Sequence, residues 1–177
     1  MSTNDQTPII VTPGEKPGYV NIVNYSTGNK KTIKCHESQI TRISLNYDAT
    51  KFATCSAKGT LIKVFDLSTQ TKFRDLRRGS DACEIYGIHF SKNSKCLAVT
   101  SDKNTVHIFS LCKEYKNKTS NFKPLSMVSG FFNSEWSLFS IPWKEASLSL
   151  AGANSQNSQQ MVATTTATSG STSAADE

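Results

Sequence analysis

Short runs rich in β-branched and aromatic residues alternate along this chain with clusters of turn residues, a pattern that predicts strands rather than helices. Ile40–Asp66 reads ITRISLNYDATKFATCSAKGTLIKVFD, and Ile85–Ser110 reads IYGIHFSKNSKCLAVTSDKNTVHIFS. Ile40, Ile43, Leu45, Phe52, Ala53, Ser56, Lys58 and Thr60 recur as Ile85, Ile88, Phe90, Leu97, Ala98, Ser101, Lys103 and Thr105, each 45 positions later. One residue then drops out, so Lys63, Val64 and Phe65 recur as His107, Ile108 and Phe109 at an offset of 44. A period of about 40–45 residues holding several short strands is the signature of WD-type propeller blades. Asn46-Tyr47-Asp48 and Ala57-Lys58-Gly59 supply the turns between strands.

Four strands are predicted in each unit. The first unit has Ile40–Asn46, Lys51–Ser56, Leu61–Leu67 and Thr71–Arg77; the second has Ile85–Ser91, Cys96–Ser101, Val106–Leu111 and, after a long break, Ser134–Ile141. Upstream, Ile9–Thr12, Tyr19–Tyr25 and Lys31–Cys35 read as the tail of a further blade. The expected fold is therefore all-β, a fragment of a WD40-type β-propeller. Its expected divisions are a disordered N-terminus (1–8), a partial blade (9–36), a full blade (37–79), a second full blade (80–142) with a long loop (112–135), and a low-complexity disordered tail (143–177). Closed propellers have about four to eight blades, so two blades and most of a third are expected to be marginal alone.

Charge sharpens the picture. Residues 30–123 hold 18 Lys or Arg against 8 Asp or Glu, which points to an anionic partner: a phospholipid surface, nucleic acid or an acidic protein. Five cysteines, Cys35, Cys55, Cys83, Cys96 and Cys112, form no CxxC pair, and the N-terminus has no secretory pattern. With no run approaching the ~20 apolar residues of a bilayer span, the expectation is a reduced, cytosolic protein. His36, His89 and His107 lack metal-ligand spacing, and no nucleophile, phosphate-loop or metalloprotease motif is present. Neither an enzyme nor a cofactor is expected.

Binding chemistry concentrates at Leu76-Arg77-Arg78-Gly79, between the two repeats. Side chains alternate along a strand, so adjacent arginines point to opposite faces and each can serve a site built with a different repeat. The planar guanidinium matches phosphate oxygens in a two-point contact. Ser56, Thr60 and Lys63 recur as Ser101, Thr105 and His107, hydroxyls and basic groups suited to two similar phosphate sites. Ser56 and Ser101 equally fit hydroxyls that bond backbone at strand ends. The segment 112–135 begins with Lys113, Lys116, Lys118 and Lys123 and continues with Phe122, Leu125, Met127, Val128, Phe131 and Phe132. Such a mixture suits insertion of apolar side chains into a bilayer with lysines at anionic headgroups; packing on the adjacent blade is the other reading.

The sequence resembles the PROPPINs, and within them the WIPI-type branch. The residues that carry the resemblance are Leu76-Arg77-Arg78-Gly79, His36-Glu37, Lys58-Gly59-Thr60-Leu61-Ile62, Glu84-Ile85-Tyr86, Ser101-Asp102, Thr105-Val106-His107-Ile108-Phe109 and the stretch from Phe131-Phe132 to Trp136-Ser137. The resemblance covers residues 8–142. It implies a seven-bladed propeller that binds phosphatidylinositol 3-phosphate and phosphatidylinositol 3,5-bisphosphate in autophagy and endosomal traffic. Carried onto this chain, Arg77 with His36, Ser56, Thr60 and Lys63 would form one headgroup pocket, and Arg78 with Ser101, Thr105 and His107 the other. The family often has Arg where Lys63 stands. The resemblance also implies that 112–135 is a membrane-inserting loop and that the missing blades carry much of the surface for autophagy protein partners. The expected setting is the cytosol, peripheral on phagophore, endosomal or vacuolar membranes.

Two other readings stay open on the sequence: a protein-binding WD-repeat scaffold whose basic edge meets an acidic partner, and a truncated product without function. Nucleic acid is not expected, because aromatic stacking platforms do not interleave with the basic residues.

Overall fold

The structure, a computed structural model, describes residues 8–119 and 134–142. The described residues up to Ser140 belong to one compact unit, and of the second unit only Ile141 and Pro142 are described. Of the stretches expected to be disordered, 1–8 and 143–177, all but Pro8 lie outside the described residues, as do Phe122, Leu125, Met127, Val128, Phe131 and Phe132.

Among the described residues, twelve strands make three sheets. β1 (Ile9–Pro13), β2 (Tyr19–Asn24) and β3 (Lys30–Lys34) form a meander in sequence order. β4 (Ile40–Leu45), β5 (Lys51–Ser56), β6 (Leu61–Asp66) and β7 (Lys72–Arg77) form the second sheet, and β8 (Ile85–Phe90), β9 (Cys96–Ser101) and β10 (Thr105–Ser110) begin the third. β11 (Glu135–Trp136) and β12 (Phe139–Pro142) follow the long segment. Among the described residues there is no helix.

The repeat read from sequence reappears in backbone detail. Ala49 and Ser94, 45 positions apart, both take positive φ in the first hairpin of their sheets. Irregularities in register fall at Ile40/Arg42 and at Ile85/Gly87, again 45 positions apart. Asn46 binds its own hairpin through Lys51 N (2.8 Å) and reaches the equivalent turn of the next repeat, donating to Ser94 Oγ at 3.0 Å. Arg42 Nε similarly donates to the Tyr86 carbonyl at 3.1 Å.

Two cores hold the sheets together. Residues opposite one another in an antiparallel pair share a face, so the register divides the second sheet cleanly. Phe52 and Phe65 are cross-strand partners, stacked at 5.2 Å, and with Val20, Ile22, Cys35 and Ile40 they bury the first sheet against the second. On the opposite face Ala53, Cys55, Ile62, Val64 and Leu76 pack with Ile85, Ile88, Leu97, Val99 and Phe109 of the third sheet. Each large aliphatic side chain so buried contributes about 1.5–3 kcal/mol. The second sheet is thus apolar on both faces, the layering expected of stacked propeller blades.

One expected strand differs. Instead of a continuous strand over 134–141 beside β10, the chain makes two short ones. β11 runs parallel to β7 of the second sheet (Glu135↔Leu76, Trp136↔Arg77), and β12 edges the third sheet beside β10. The physical reason is polar: Arg74 of β7 captures the Glu135 carboxylate, and the chain regains β10 only at Leu138, whose N–H donates to the Ile108 carbonyl at 2.8 Å.

Candidate functional site

Arg77 ends β7 and Arg78 follows it; both are buried, at 5% and 7% exposure. Leu61 faces Arg77 across the β6–β7 ladder, and two pairs along, Lys63 faces Asp75. Lys63 also pairs with Thr54 on β5. Thr54, Lys63, Asp75 and Arg77 therefore share one face of the second sheet, the face turned to the first. His36, just after β3, completes this cluster: its Nε2 lies 3.1 Å from Thr54 Oγ1 and 3.3 Å from the Thr54 carbonyl. A carbonyl can only accept, so that contact requires the hydrogen on Nε2. Burial, then the nearby Lys63 charge, pushes the His36 imidazole down to about 4, so it is neutral at pH 7.

Arg78 serves the opposite side. Its Nε donates to the Gly59 carbonyl at 3.3 Å, its Nη2 donates to the Asp81 carbonyl, and its backbone N–H donates to the Thr60 carbonyl at 3.0 Å. Its charge acts on Cys83 and on His107. Nε2 of His107 lies 3.1 Å from Thr105 Oγ1 and Nδ1 lies 3.2 Å from Ser137 Oγ. Burial, followed by the Arg78 charge, lowers the His107 pKa. Ser101 is buried, hydrogen-bonds the Cys83 side chain and accepts from Lys103 N at 3.4 Å. A chain of polar groups thus runs from Arg78 through Cys83 to Ser101, with Thr105 and His107 alongside.

His36 and Lys63 lie on Arg77's face, while Ser101, Thr105 and His107 belong with Arg78. The Thr60 carbonyl accepts from the Arg78 N–H, and Thr60 precedes Leu61, the cross-strand partner of Arg77. Ser56 ends β5 opposite Ile40 and is buried at 7% exposure.

Sequence reasoning missed Thr54, Asp75, Ser134 and Ser137. The first two were legible in principle, since period-two alternation puts Thr54 with Phe52 and Asp75 with Arg77. Asp75 matters because it is acidic: Oδ2 pairs with Lys72 at 2.5 Å while Oδ1 is buried without a hydrogen-bond partner among the described residues. Ser134 and Ser137 had no such signal. Arg77 Nε donates to Ser134 Oγ at 2.8 Å across 57 positions of sequence, and no local pattern encodes that return.

The charge of Arg78 is met differently from that of Arg74. Among the described residues no ion pair includes Arg78, whose side-chain bonds go to backbone carbonyls. A buried cation without a carboxylate is costly unless an anion completes its shell. Beside it stand a neutral imidazole and two hydroxyls, all able to donate to phosphate oxygens. No group of three or more His, Cys, Asp or Glu suited to a metal ion occurs among the described residues.

Comparison with known proteins shows the family and the fold. The PROPPIN family model matches residues 1–139. SVP1-like protein 2 of Emericella nidulans is 35% identical over 73% of this chain and 41% of its own length. Autophagy-related protein 18 of Saccharomyces cerevisiae is 45% identical over 48% of this chain and 17% of its own. The structure of Kluyveromyces lactis Hsv2p superposes with a TM-score of 0.61 at 30% identity, over 76% of this chain and 42% of that one. The chain spans less than half the length of each.

Proposed function

The chain belongs to the PROPPIN family, and on that premise we propose that it is the phosphoinositide-reading part of a peripheral membrane propeller acting in autophagy. The observation that carries this reading is the buried Arg78, without a carboxylate partner among the described residues, beside Thr105, His107 and Ser101. The proposed ligands are phosphatidylinositol 3-phosphate and phosphatidylinositol 3,5-bisphosphate. One headgroup is held by Arg77 with His36, Ser56, Thr60 and Lys63, the other by Arg78 with Ser101, Thr105 and His107. Asp75 tempers the first site, because its carboxylate shares a face with Arg77 and repels phosphate. The Arg78 site has the more favourable electrostatics. Segment 112–135 inserts into the bilayer, and two weak headgroup sites on one rigid edge gain avidity from the effective concentration each imposes on the other.

The proposed role is binding: among the described residues the two clusters hold cations and hydrogen-bond donors suited to phosphate oxygens. Autophagy is the process for which the matched yeast relative is named, and we carry that setting to this chain. It works from the cytosol at phagophore, endosomal or vacuolar membranes, with autophagy proteins as further partners.

Flotation tests the reading. The purified chain should float with phosphatidylcholine vesicles containing phosphatidylinositol 3-phosphate and stay behind with phosphatidylcholine alone. Arg77→Thr with Arg78→Thr should abolish flotation while circular dichroism still reports a folded sheet. Equal flotation of the folded double variant would end the two-pocket proposal.

A further inference from the structure

The long segment between β10 and β11 leaves the third sheet and returns to the second. Its departing stem is pinned at Asn117, which is buried and acts as a substitute strand: Oδ1 accepts from Ser110 N and Nδ2 donates to the Ser110 carbonyl, both at 2.7 Å. Its returning stem is pinned at Glu135. Arg74 Nη1 donates to both carboxylate oxygens, at 2.7 and 2.6 Å, with the two side chains only 21% and 29% exposed. Asn117 Nδ2 donates to the same carboxylate at 2.6 Å, tying the two stems to each other. Backbone pairing completes the fastening: Trp136 N–H donates to the Lys118 carbonyl at 2.7 Å, and β11 lies parallel to β7.

We infer that Glu135 is a positioning residue that fastens the returning stem to β7, the strand that carries Arg77, and thereby couples presentation of the segment to the arginine site. The coupling rests on the reading above that this segment meets the membrane. Two contacts give it physical content. Arg74 and Arg77 belong to the same strand, and Arg77 Nε donates to Ser134, the residue next to Glu135. Movement of the stem therefore disturbs the arginine directly, and ordering of the arginine by an anion steadies the stem. Charge-assisted, half-buried hydrogen bonds of this kind are stronger than exposed ones. The same carboxylate offsets crowding of like charge, because Arg74 and Glu135 line a cavity of about 900 Å³ together with Lys113, Lys116 and Lys118. Without Glu135 that wall carries four cations and no acid.

Two readouts on the full chain test this, one of them independent of any lipid. Hydrogen exchange at the Trp136 amide should speed up at least tenfold in Glu135→Ala, and by less than threefold in Glu135→Gln, whose amide oxygen still accepts a bond. Exchange at core amides such as Ile62 and Leu97 should not change. Binding to phosphatidylcholine vesicles carrying phosphatidylinositol 3-phosphate should weaken at least fivefold in Glu135→Ala and largely recover in Glu135→Gln. Binding of soluble inositol 1,3-bisphosphate should weaken at least twofold in Glu135→Ala and less in Glu135→Gln, because stem and arginine are linked in both directions. Unchanged Trp136 exchange in Glu135→Ala overturns the fastening. Faster exchange with unchanged vesicle binding overturns the coupling. A parent chain that binds neither vesicles nor inositol 1,3-bisphosphate fails the phosphoinositide reading and the coupling with it, while the exchange measurement still decides the fastening.

Discussion

A Cβ built on Gly59 would lie 2.0 Å from the carbonyl oxygen of Cys83. The turn before β6 and the chain leading into β8 therefore touch backbone to backbone, and Gly59 also sits at φ +64. Gly18 repeats the arrangement against the His36 carbonyl, at 1.9 Å. Gly28 has a similar φ of +68 but open space around it. Gly59→Ala should thus lose about 2 kcal/mol or more of stability, and Gly28→Ala only about 1 kcal/mol. Chemical denaturation of the two variants checks the order; equal losses would mean that the contact with Cys83 is relieved by a small backbone shift.

His36 makes stability fall on acidification. Its folded pKa of about 4 lies below the ordinary histidine value of 6.5, so the unfolded chain takes up a proton first. The stabilising difference is present in full above pH 6.5 and is lost as pH falls toward 4. Its size is on the order of 3 kcal/mol. His107, shifted in the same direction, adds to the loss. Unfolding midpoints measured between pH 7.5 and 4.5 should drop, and His36→Gln should flatten the drop.

An anion at either histidine works in the opposite sense. Phosphate favours the imidazolium, so bound headgroup raises both histidine pKa values and is accompanied by proton uptake. Affinity for soluble inositol 1,3-bisphosphate should therefore rise as pH falls from 7.5 to 6. Calorimetry in buffers of different ionisation enthalpy counts the protons; a count of zero would separate both histidines from the site.

Arg78→Lys keeps the charge but removes the planar fork and the bonds to the Gly59 and Asp81 carbonyls. Vesicle binding should weaken about tenfold, the equivalent of one two-point contact at roughly 1.4 kcal/mol. Stability should fall by about 1 kcal/mol, because buried carbonyls lose their donor. Titration with vesicles and a denaturation curve read the two effects separately.

Thiol chemistry should divide the cysteines into two groups. Cys35, Cys55 and Cys83 are buried, whereas Cys96 and Cys112 are partly exposed. Burial pushes the Cys35 thiol up to about 12 and raises Cys55 and Cys83 as well, which suppresses the reactive thiolate. Alkylation of the native chain near neutral pH should modify Cys96 and Cys112 first, and mass spectrometry of tryptic peptides would show it.

The sheets were legible because a repeat states its own geometry. Once Ile40, Phe52 and Val64 are seen again as Ile85, Leu97 and Ile108, strand order and facing follow from period-two alternation. The opposite placement of Arg77 and Arg78 followed from the same rule. The path after the long segment was not legible. Trp136 and Phe139 have the composition of one strand, yet Glu135 answers to Arg74, 61 positions earlier, and the ion pair diverts the chain onto β7. Period-two alternation places Asp75 with Arg77 but not with Lys63, which belongs to another strand. Its meaning appears only when β6 lays Lys63 beside it.

The bond between Asn117 and Glu135 turns the span between them, 18 positions long, into a ring closed by side chains. Closing a ring costs chain entropy that grows only with the logarithm of its length, about 0.6 kcal/mol per doubling. The three sheets are therefore nearly indifferent to how many residues the ring contains. Insertions and deletions between the two residues should leave the melting temperature almost unchanged, which makes this stretch the place where the chain can accept new sequence without renegotiating its fold.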